Sequence, residues 1–418
     1  MEHSTALVTN DAVVLGMLAL ILGFVFYTER SDHPWCRGFY KYVPALLLCY
    51  FLPSLLNTFG VVDPEESKLY FVASRFLLPT CLVLLTLSVD LRSIARLGYK
   101  AIVMFLTGTL GIVIGGPIAI LIVGTISPET VGGDGPEAVW RGLTTVAGSW
   151  IGGGANQAAM KEIFEVDGAL FSQMVAVDVL VANVWMAVLL FMAGRSKAID
   201  ARMGADTSAI DELRRRVEAF HAQHARHLNL PDLILIMAVG FGATGIAHAL
   251  ADLIAPWIAA NAPSLDRLSL TSKFFWIVVV ATTIGVGLSF SRARQLEGAG
   301  ASKVGSGMLY VLVATIGLGM DVSAVFSNPG LFAIGGVWML IHAVLLLTVA
   351  RFIKAPVFYM AVGSQANVGG AASAPVVASA FHPSLAPVGV LLAVLGYALG
   401  TYAAWICGLM MKATAANF

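Results

Sequence analysis

Twelve apolar stretches follow one another along the chain, separated by short polar connections. They lie near residues 11–29, 42–61, 69–89, 99–126, 139–160 and 169–193, then 232–258, 274–291, 304–320, 329–350, 356–380 and 385–411. A membrane-spanning helix needs about 20 mainly apolar residues, so the pattern predicts an all-α, polytopic membrane protein. One long polar stretch, 195–229, separates a first membrane repeat (1–194) from a second (230–418). Within it, Asp211 to Phe220 reads as an amphipathic helix lying on the membrane surface.

Two of the stretches are broken by glycine. Gly148-Ser149-Trp150-Ile151-Gly152-Gly153-Gly154-Ala155-Asn156-Gln157 interrupts the fifth, and Gly363-Ser364-Gln365-Ala366-Asn367-Val368-Gly369-Gly370-Ala371-Ala372-Ser373 interrupts the eleventh. Consecutive glycines hold a helix weakly, each costing about 1 kcal/mol relative to alanine. In lipid, unpaired backbone groups are tolerated only where they line a cavity or bind something. Close helix packing through small residues is the plainer alternative. A matched pair of breaks, one in each half, favours a transporter.

The halves correspond in order. Asp90 closes the third stretch and Asp321 the ninth, an offset of 321 − 90 = 231, at which the second stretch falls on the eighth. The breaks match at 363 − 148 = 215, and the polar insertion 126–137 accounts for most of the difference of 16. Basic residues gather in the connections holding Arg30, Arg37 and Lys41, Arg92, Arg96 and Lys100, Arg292 and Arg294, and Arg351 and Lys354; the linker 195–229 holds seven more. The positive-inside rule places all of these in the cytoplasm if the two broken segments enter and return on the same side. Five crossings plus one glycine-broken, re-entrant segment per half is the resulting count. The repeats are then inverted, with Asp90 inside and Asp321 outside. A split in the stretch 230–259 repairs the parity as well.

Composition agrees with a membrane location. Of 418 residues, 58% are hydrophobic and 12% charged, with a mean hydropathy of +0.83; a soluble protein carries about 25% charged residues. Twenty-five basic and 25 acidic residues cancel, leaving no basic field for nucleic acid. Cys36, Cys49, Cys81 and Cys407 form no CxxC pair and read as small buried hydrophobes. The opening Met1-Glu2-His3-Ser4-Thr5 lacks the basic start of a cleaved signal, so the first stretch is expected to remain as a membrane helix. No HExxH, GxSxG or phosphate-binding loop is present. The expectation is a carrier rather than an enzyme, with no cofactor and an ion gradient as its energy source.

These features carry a resemblance. The duplicated glycine-broken segments and inverted halves resemble the superfamily of sodium–proton antiporters, bile-acid sodium symporters, glutamate–sodium symporters and 2-hydroxycarboxylate transporters. The elements Gly152-Gly153-Gly154-Ala155-Asn156 and Asn367-Val368-Gly369-Gly370-Ala371 are closest to the re-entrant Gly-Gly elements of the last two. The Gly-Gly-Asn-Gly vertex of the 2-hydroxycarboxylate group is absent. The whole chain is more closely similar to domain-of-unknown-function family 819. The resemblance implies a secondary transporter of the cell (inner) membrane, a small-molecule solute and the lipid bilayer as partners, and is compatible with a homodimer.

At the breaks, half-helix N-termini suit a carboxylate, whereas half-helix C-termini and freed carbonyls suit Na⁺. Ser149, Gly153, Gly154, Asn156 and Gln157 are the solute-binding candidates of the first break; Ser364, Gln365, Asn367, Gly369, Gly370 and Ser373 are those of the second. Local capping is the competing role for each amide and hydroxyl. Asp178 stands alone among Val175-Ala176-Val177 and Val179-Leu180-Val181. An ionised Asp at mid-membrane costs about 3 kcal/mol, so Asp178 is the candidate for coupling Na⁺ or H⁺, with Asn156 and Asn183 beside it. The antiporter resemblance implies an acid at this same place. Arg75 either meets an anionic solute or snorkels to the surface. His342 is a proton relay or a packing residue, and His221, His224 and His227 read as a solvated face. The leading expectation is a symporter of a small organic anion or amino-acid-like solute. The rivals are a cation–proton antiporter and a membrane sensor or scaffold using the linker as partner surface.

Overall fold

The computed structural model describes residues 7–40, 43, 45–64, 66–87, 97–133, 135–207, 210, 228–268, 270–319, 328–382 and 385–418. Asp90, Arg92, Arg96, Asp321, the helix expected at 211–220 and His221, His224 and His227 lie outside the described residues. The rest is helical: α1 (Asp11–Glu29), α2 (Pro34–Tyr40), α3 (Ala45–Thr58), α4 (Leu69–Leu87), α5 (Tyr99–Ile126), α6 (Val139–Ile163), α7 (Gly168–Ala193), α8 (Ser196–Met203), α9 (Leu230–Asn261), α10 (Lys273–Leu288), α11 (Ala301–Leu318), α12 (Gly330–Phe352), α13 (Val357–Val368), α14 (Gly370–Phe381) and α15 (Ala386–Ala415). Side chains cap several starts: Asn10 accepts from Ala12 N–H, Asp167 from Ala169 and Leu170, Asn229 from Asp232, and Ser272 from Phe275.

Among the described residues, eight helices are long and apolar enough to cross a bilayer: α1, α4, α5, α7, α9, α11, α12 and α15. The other four apolar stretches behave differently, and each for a local reason. α3 holds only 14 residues, short of the ~20 a straight crossing needs. α10 turns by 93° at Ser289–Ser291 into the 3₁₀ helix Arg292–Ala299 and counts as a ninth crossing only with it. The remaining two are the glycine-broken stretches.

The helices pack as two groups. In the first, Val14 and Leu18 of α1 bury against Ala314 and Leu318 of α11, and Val83 of α4 buries against Ala243 and Ala247 of α9 and Ala281 of α10. The Thr80 and Thr244 hydroxyls bond at 2.8 Å between α4 and α9. In the second, α5 and α12 lie close because Gly115 and Gly116 leave room for Trp338, whose indole N–H donates to the Ile112 carbonyl at 2.9 Å. α15 lies along α6, and α7 along α12 and α13.

Both broken stretches fold back on themselves. In α6 the chain turns at Gly153, where φ is +73°, a conformation that favours glycine. Its two ends meet: Asp167 N–H donates to the Pro136 carbonyl at 3.1 Å, and the rings of Trp140 and Phe164 stand 5.8 Å apart. The arms of α13 and α14 meet likewise, with Phe358 and Phe381 at 5.3 Å. In straight helices, residues so far apart in sequence would be separated by about 34 Å.

The two hairpins open toward opposite ends of the molecule. Beside the base of the first lie the C-terminal ends of α15 and α5: Lys412 Nζ sits 5.6 Å from the Trp140 ring, and the Phe418 ring covers Gly124. Beside the base of the second lies the start of α5, where Lys100 Nζ donates to the Lys354 carbonyl at 2.8 Å. The 28 residues of α5, about 42 Å of helix, separate the two bases.

Phe358→Cys with Phe381→Cys is expected to form a disulfide on mild oxidation in the membrane, read as a mobility shift after cleavage between the arms. An uncrosslinked pair under conditions that oxidise an exposed control pair would mean that α13 and α14 run on as one crossing.

Candidate functional site

The hairpin tips meet inside the second group of helices. A Cβ on Gly370, where φ is +57°, would lie 3.8 Å from Gly153 Cα. α15 forms the floor beneath them. A Cβ at Gly396 would approach the Ile151 carbonyl to 2.6 Å, one at Gly400 the Gly152 Cα to 2.7 Å, and one at Gly389 the Ala374 carbonyl to 2.5 Å. Bare backbone at 389, 396 and 400 therefore lets both hairpins lie directly on one helix. The sequence reading took the stretch 385–411 for an ordinary span, although its glycine spacing was the available signal.

In the first hairpin, Asn156 holds the turn. Its amide N–H donates to the Gly152 carbonyl at 2.9 Å, while its Oδ1 accepts from Thr401 of α15 at 2.7 Å. Thr401 in turn lies 3.3 Å from Thr282 of α10, which ties the tip to the other helix group. Asp178 of α7, buried at 7% exposure, joins both arms. It accepts from Trp150 Nε1 at 2.7 Å on one arm and from Gln157 Nε2 at 2.9 Å on the other. Ser149 is a further polar neighbour of the carboxylate, and the Tyr50 hydroxyl donates to Gln157 Oε1 at 3.3 Å. Among the described residues the donors to this carboxylate are neutral, so dipoles rather than a fixed counter-ion stabilise its charge.

The second hairpin is held by the same types of bond. Asn367 donates to the Gly363 carbonyl at 2.9 Å and the Phe105 carbonyl at 3.0 Å, and its Oδ1 accepts from Thr109 at 2.7 Å. Ser364 accepts from Trp185 Nε1 at 2.8 Å and lies 2.8 Å from His342 Nε2. His342 Nδ1 faces the Gly108 carbonyl at 3.0 Å. A carbonyl can only accept, so this assigns the proton to Nδ1 and leaves Nε2 to accept from the Ser364 hydroxyl. Gln365 Nε2 donates to Ser373 Oγ at 2.7 Å across the arms. Its Oε1 is buried with no hydrogen-bond partner among the described residues, an acceptor at the tip that can take a donor or a cation. The start of α13 is capped from the linker, where Asp200 Oδ1 accepts from Val357 N–H at 2.8 Å. Burial raises the Asp200 carboxyl above its ordinary range, against the lowering effect of that bond.

The structure therefore brings Ser149, Gly153, Asn156, Gln157 and Asp178 together, and places Ser364, Gln365, Asn367, Gly369, Gly370 and Ser373 around the facing tip. Gly154 borders Leu309 of α11. Asn183 is turned onto its own helix, donating to the Val179 carbonyl at 2.8 Å. Arg75 stands at the base of the first hairpin and pairs with Glu162 at 2.6 Å. Sequence reasoning missed Thr109, Trp150, Trp185, Thr282 and Thr401. Trp150 carried a signal, since an indole N–H inside a glycine-broken stretch needs a buried acceptor. Cys49, Cys81 and Cys407 are buried free thiols.

Comparison with known proteins adds a family. The uncharacterized membrane protein YjcL of Bacillus subtilis (strain 168) is 23% identical over 364 residues, covering 83% of this chain and 85% of the relative. The family described as protein of unknown function (DUF819) matches residues 16–414, a span that takes in both hairpins, Asp178 and all of α15 but its last residue. This is an integral membrane protein, and it belongs to that family.

Proposed function

We propose that the protein is a secondary active transporter that moves a small organic anion or an amino-acid-like solute, coupled to Na⁺ or H⁺, by alternating access. The observation that carries this reading is the meeting of two glycine-tipped hairpins from opposite ends of the molecule. Each tip presents freed peptide groups and half-helix ends at mid-depth, the arrangement that suits a charged solute and its coupling ion. Access from one side and then the other follows if one helix group rocks against the other around the tips. On this reading the halves are inverted repeats of five crossings plus one hairpin, with the 14-residue α3 and the bent α10 each taken as a crossing. The end holding Lys100, Arg195, Lys197, Arg202, Arg351 and Lys354 faces the cytoplasm of a cell (inner) membrane, in keeping with the positive-inside rule. A cation–proton antiporter is the second reading, favoured by the buried Asp178 carboxyl at the first tip.

Orientation is tested with an impermeant thiol reagent on intact cells. Glu137→Cys at the base of the first hairpin is expected to label, and Lys197→Cys to label only after permeabilisation; the reverse pattern would contradict the orientation.

Gly153→Leu forces a branched side chain onto a φ of +73°, a strain of about 1–3 kcal/mol. Gly369→Leu drives a side chain into Gln365 and Ser373. Both variants are expected to insert into the membrane and to lose the gradient-driven uptake that a solute screen of wild-type proteoliposomes detects. Uptake at the wild-type rate in either would place the site elsewhere.

Asp178→Asn keeps one acceptor for Trp150, and the new amide can be met if Gln157 turns its own amide over and the Tyr50 hydroxyl turns to accept. Asp178→Ala orphans two buried donors, at about 1–3 kcal/mol each. The asparagine variant is therefore expected to melt within a few degrees of wild type and the alanine variant clearly lower. Asp178→Asn is further expected to exchange solute for solute while failing to accumulate it. Accumulation at the wild-type rate, with an unchanged pH profile, would remove Asp178 from coupling.

A further inference from the structure

Away from the tips, at the base of the first hairpin, a charged cluster spans the boundary between the two helix groups. Glu162 of α6 pairs with Arg75 of α4 at 2.6 Å and accepts from the Tyr70 hydroxyl. Lys161 Nζ donates to the Tyr70 oxygen at 2.8 Å and stands 3.8 Å from Glu162. Two cations and a phenol thus converge on one carboxylate. Arg75 and Tyr70 belong to one group, Lys161 and Glu162 to the other, so the bonds from Glu162 to Arg75 and Tyr70 cross the boundary. Both cations are also steadied by rings, Arg75 at 4.3 Å from Phe274 and Lys161 at 4.5 Å from Tyr70.

The backbone beneath Arg75 is unusual. Residues Ala73–Leu77 form a π-helical turn inside α4, and such turns occur often at functional sites. The Arg75 carbonyl lies 2.8 Å from His248 Nε2 of α9, which fixes the turn from its far side. Beside the cluster lies a cleft of about 540 Å³, lined by Asn57, Ser67 and Tyr70 of one group, Lys161 and Phe171 of the other, and Asp63. Tyr70 and Lys161 belong to both the cleft lining and the cluster, and Arg75 and Glu162 stand behind them, so a solute in the cleft meets the cluster first through Tyr70 and Lys161.

We propose that Arg75, Tyr70 and Lys161 form a carboxylate-recognition site at this cleft, in which Glu162 is the resident occupant that a solute carboxylate replaces. The chemistry matches, because an incoming carboxylate offers Arg75 and Tyr70 the same two acceptor oxygens. After the exchange Glu162 stays with Lys161 on its own helix, and the direct Arg75–Glu162 pair between the groups is undone, while the Lys161–Tyr70 bond still crosses the boundary. The binding stands by itself; its use in releasing the groups rests on the transporter reading above.

The test uses the purified full chain, with thermal shift read as chloride is replaced by acetate at constant ionic strength. E162Q is expected to respond to acetate at about one tenth of the wild-type half-effect concentration, because a competing partly buried charge is gone. E162D is expected to behave as wild type, and R75Q to lose the response both alone and combined with E162Q. Alanine should act like acetate. A half-effect concentration in E162Q no lower than wild type, or a response surviving in R75Q, would overturn the proposal. Failure here leaves the hairpin tips to the uptake assay, and loss of uptake in the glycine variants leaves this site standing.

Discussion

Inside a bilayer a peptide group has no water to turn to, and at Gly153 and Gly369–Gly370 the helical ladder is interrupted in mid-protein. The surrounding structure answers that constraint. Asn156 and Asn367 each donate back to a carbonyl four residues earlier, and each accepts from a threonine on a packing helix. α15 gives up side chains at 389, 396 and 400 so that the hairpins can lie against its backbone. α5 does the same at Gly108 and Gly111, where His342 and Asn367 press in. Folding back, rather than crossing, is what brings one tip to the other.

A carboxylate buried in apolar surroundings is costly, and Asp178 shows how the cost is offset. Trp150 and Gln157 reach it from the two arms of one hairpin, so the same bonds that stabilise the charge close the hairpin. A change in the charge of Asp178 would thereby be felt on both sides of the Gly153 turn. Glu162 at the hairpin base binds across the group boundary in a comparable way, to Arg75 and Tyr70. The first hairpin is thus held by one acid near its tip and another at its base.

Much of this was legible in the sequence, where the governing physics is local. The stretches 11–29 and 99–126 coincide with α1 and α5, because apolar runs bounded by polar connections leave helix as the only solution in lipid. The two breaks and Asp178 stood out as exceptions to that apolar pattern. The bend after α10 did not, since Ser289 and Ser291 differ little from other end-capping serines. Thr109 and Thr401 were hidden for another reason. A threonine in an apolar helix usually bonds its own backbone, and only the tertiary fold brings these two to asparagines more than 240 residues away. Arg75 was visible as an oddity, but its partner Glu162 lies past the end of the stretch 139–160.

The central claim is that the two tips form one ligand site, so ligand binding has to be felt at both. Hydrogen–deuterium exchange of the peptides covering 149–157 and 364–373 measures this directly, with and without the solute found by screening and its coupling ion. The structure predicts that amide exchange slows at both breaks together, with the same ligand dependence. Protection confined to one break, or appearing only elsewhere in the protein, would contradict a shared site between the tips.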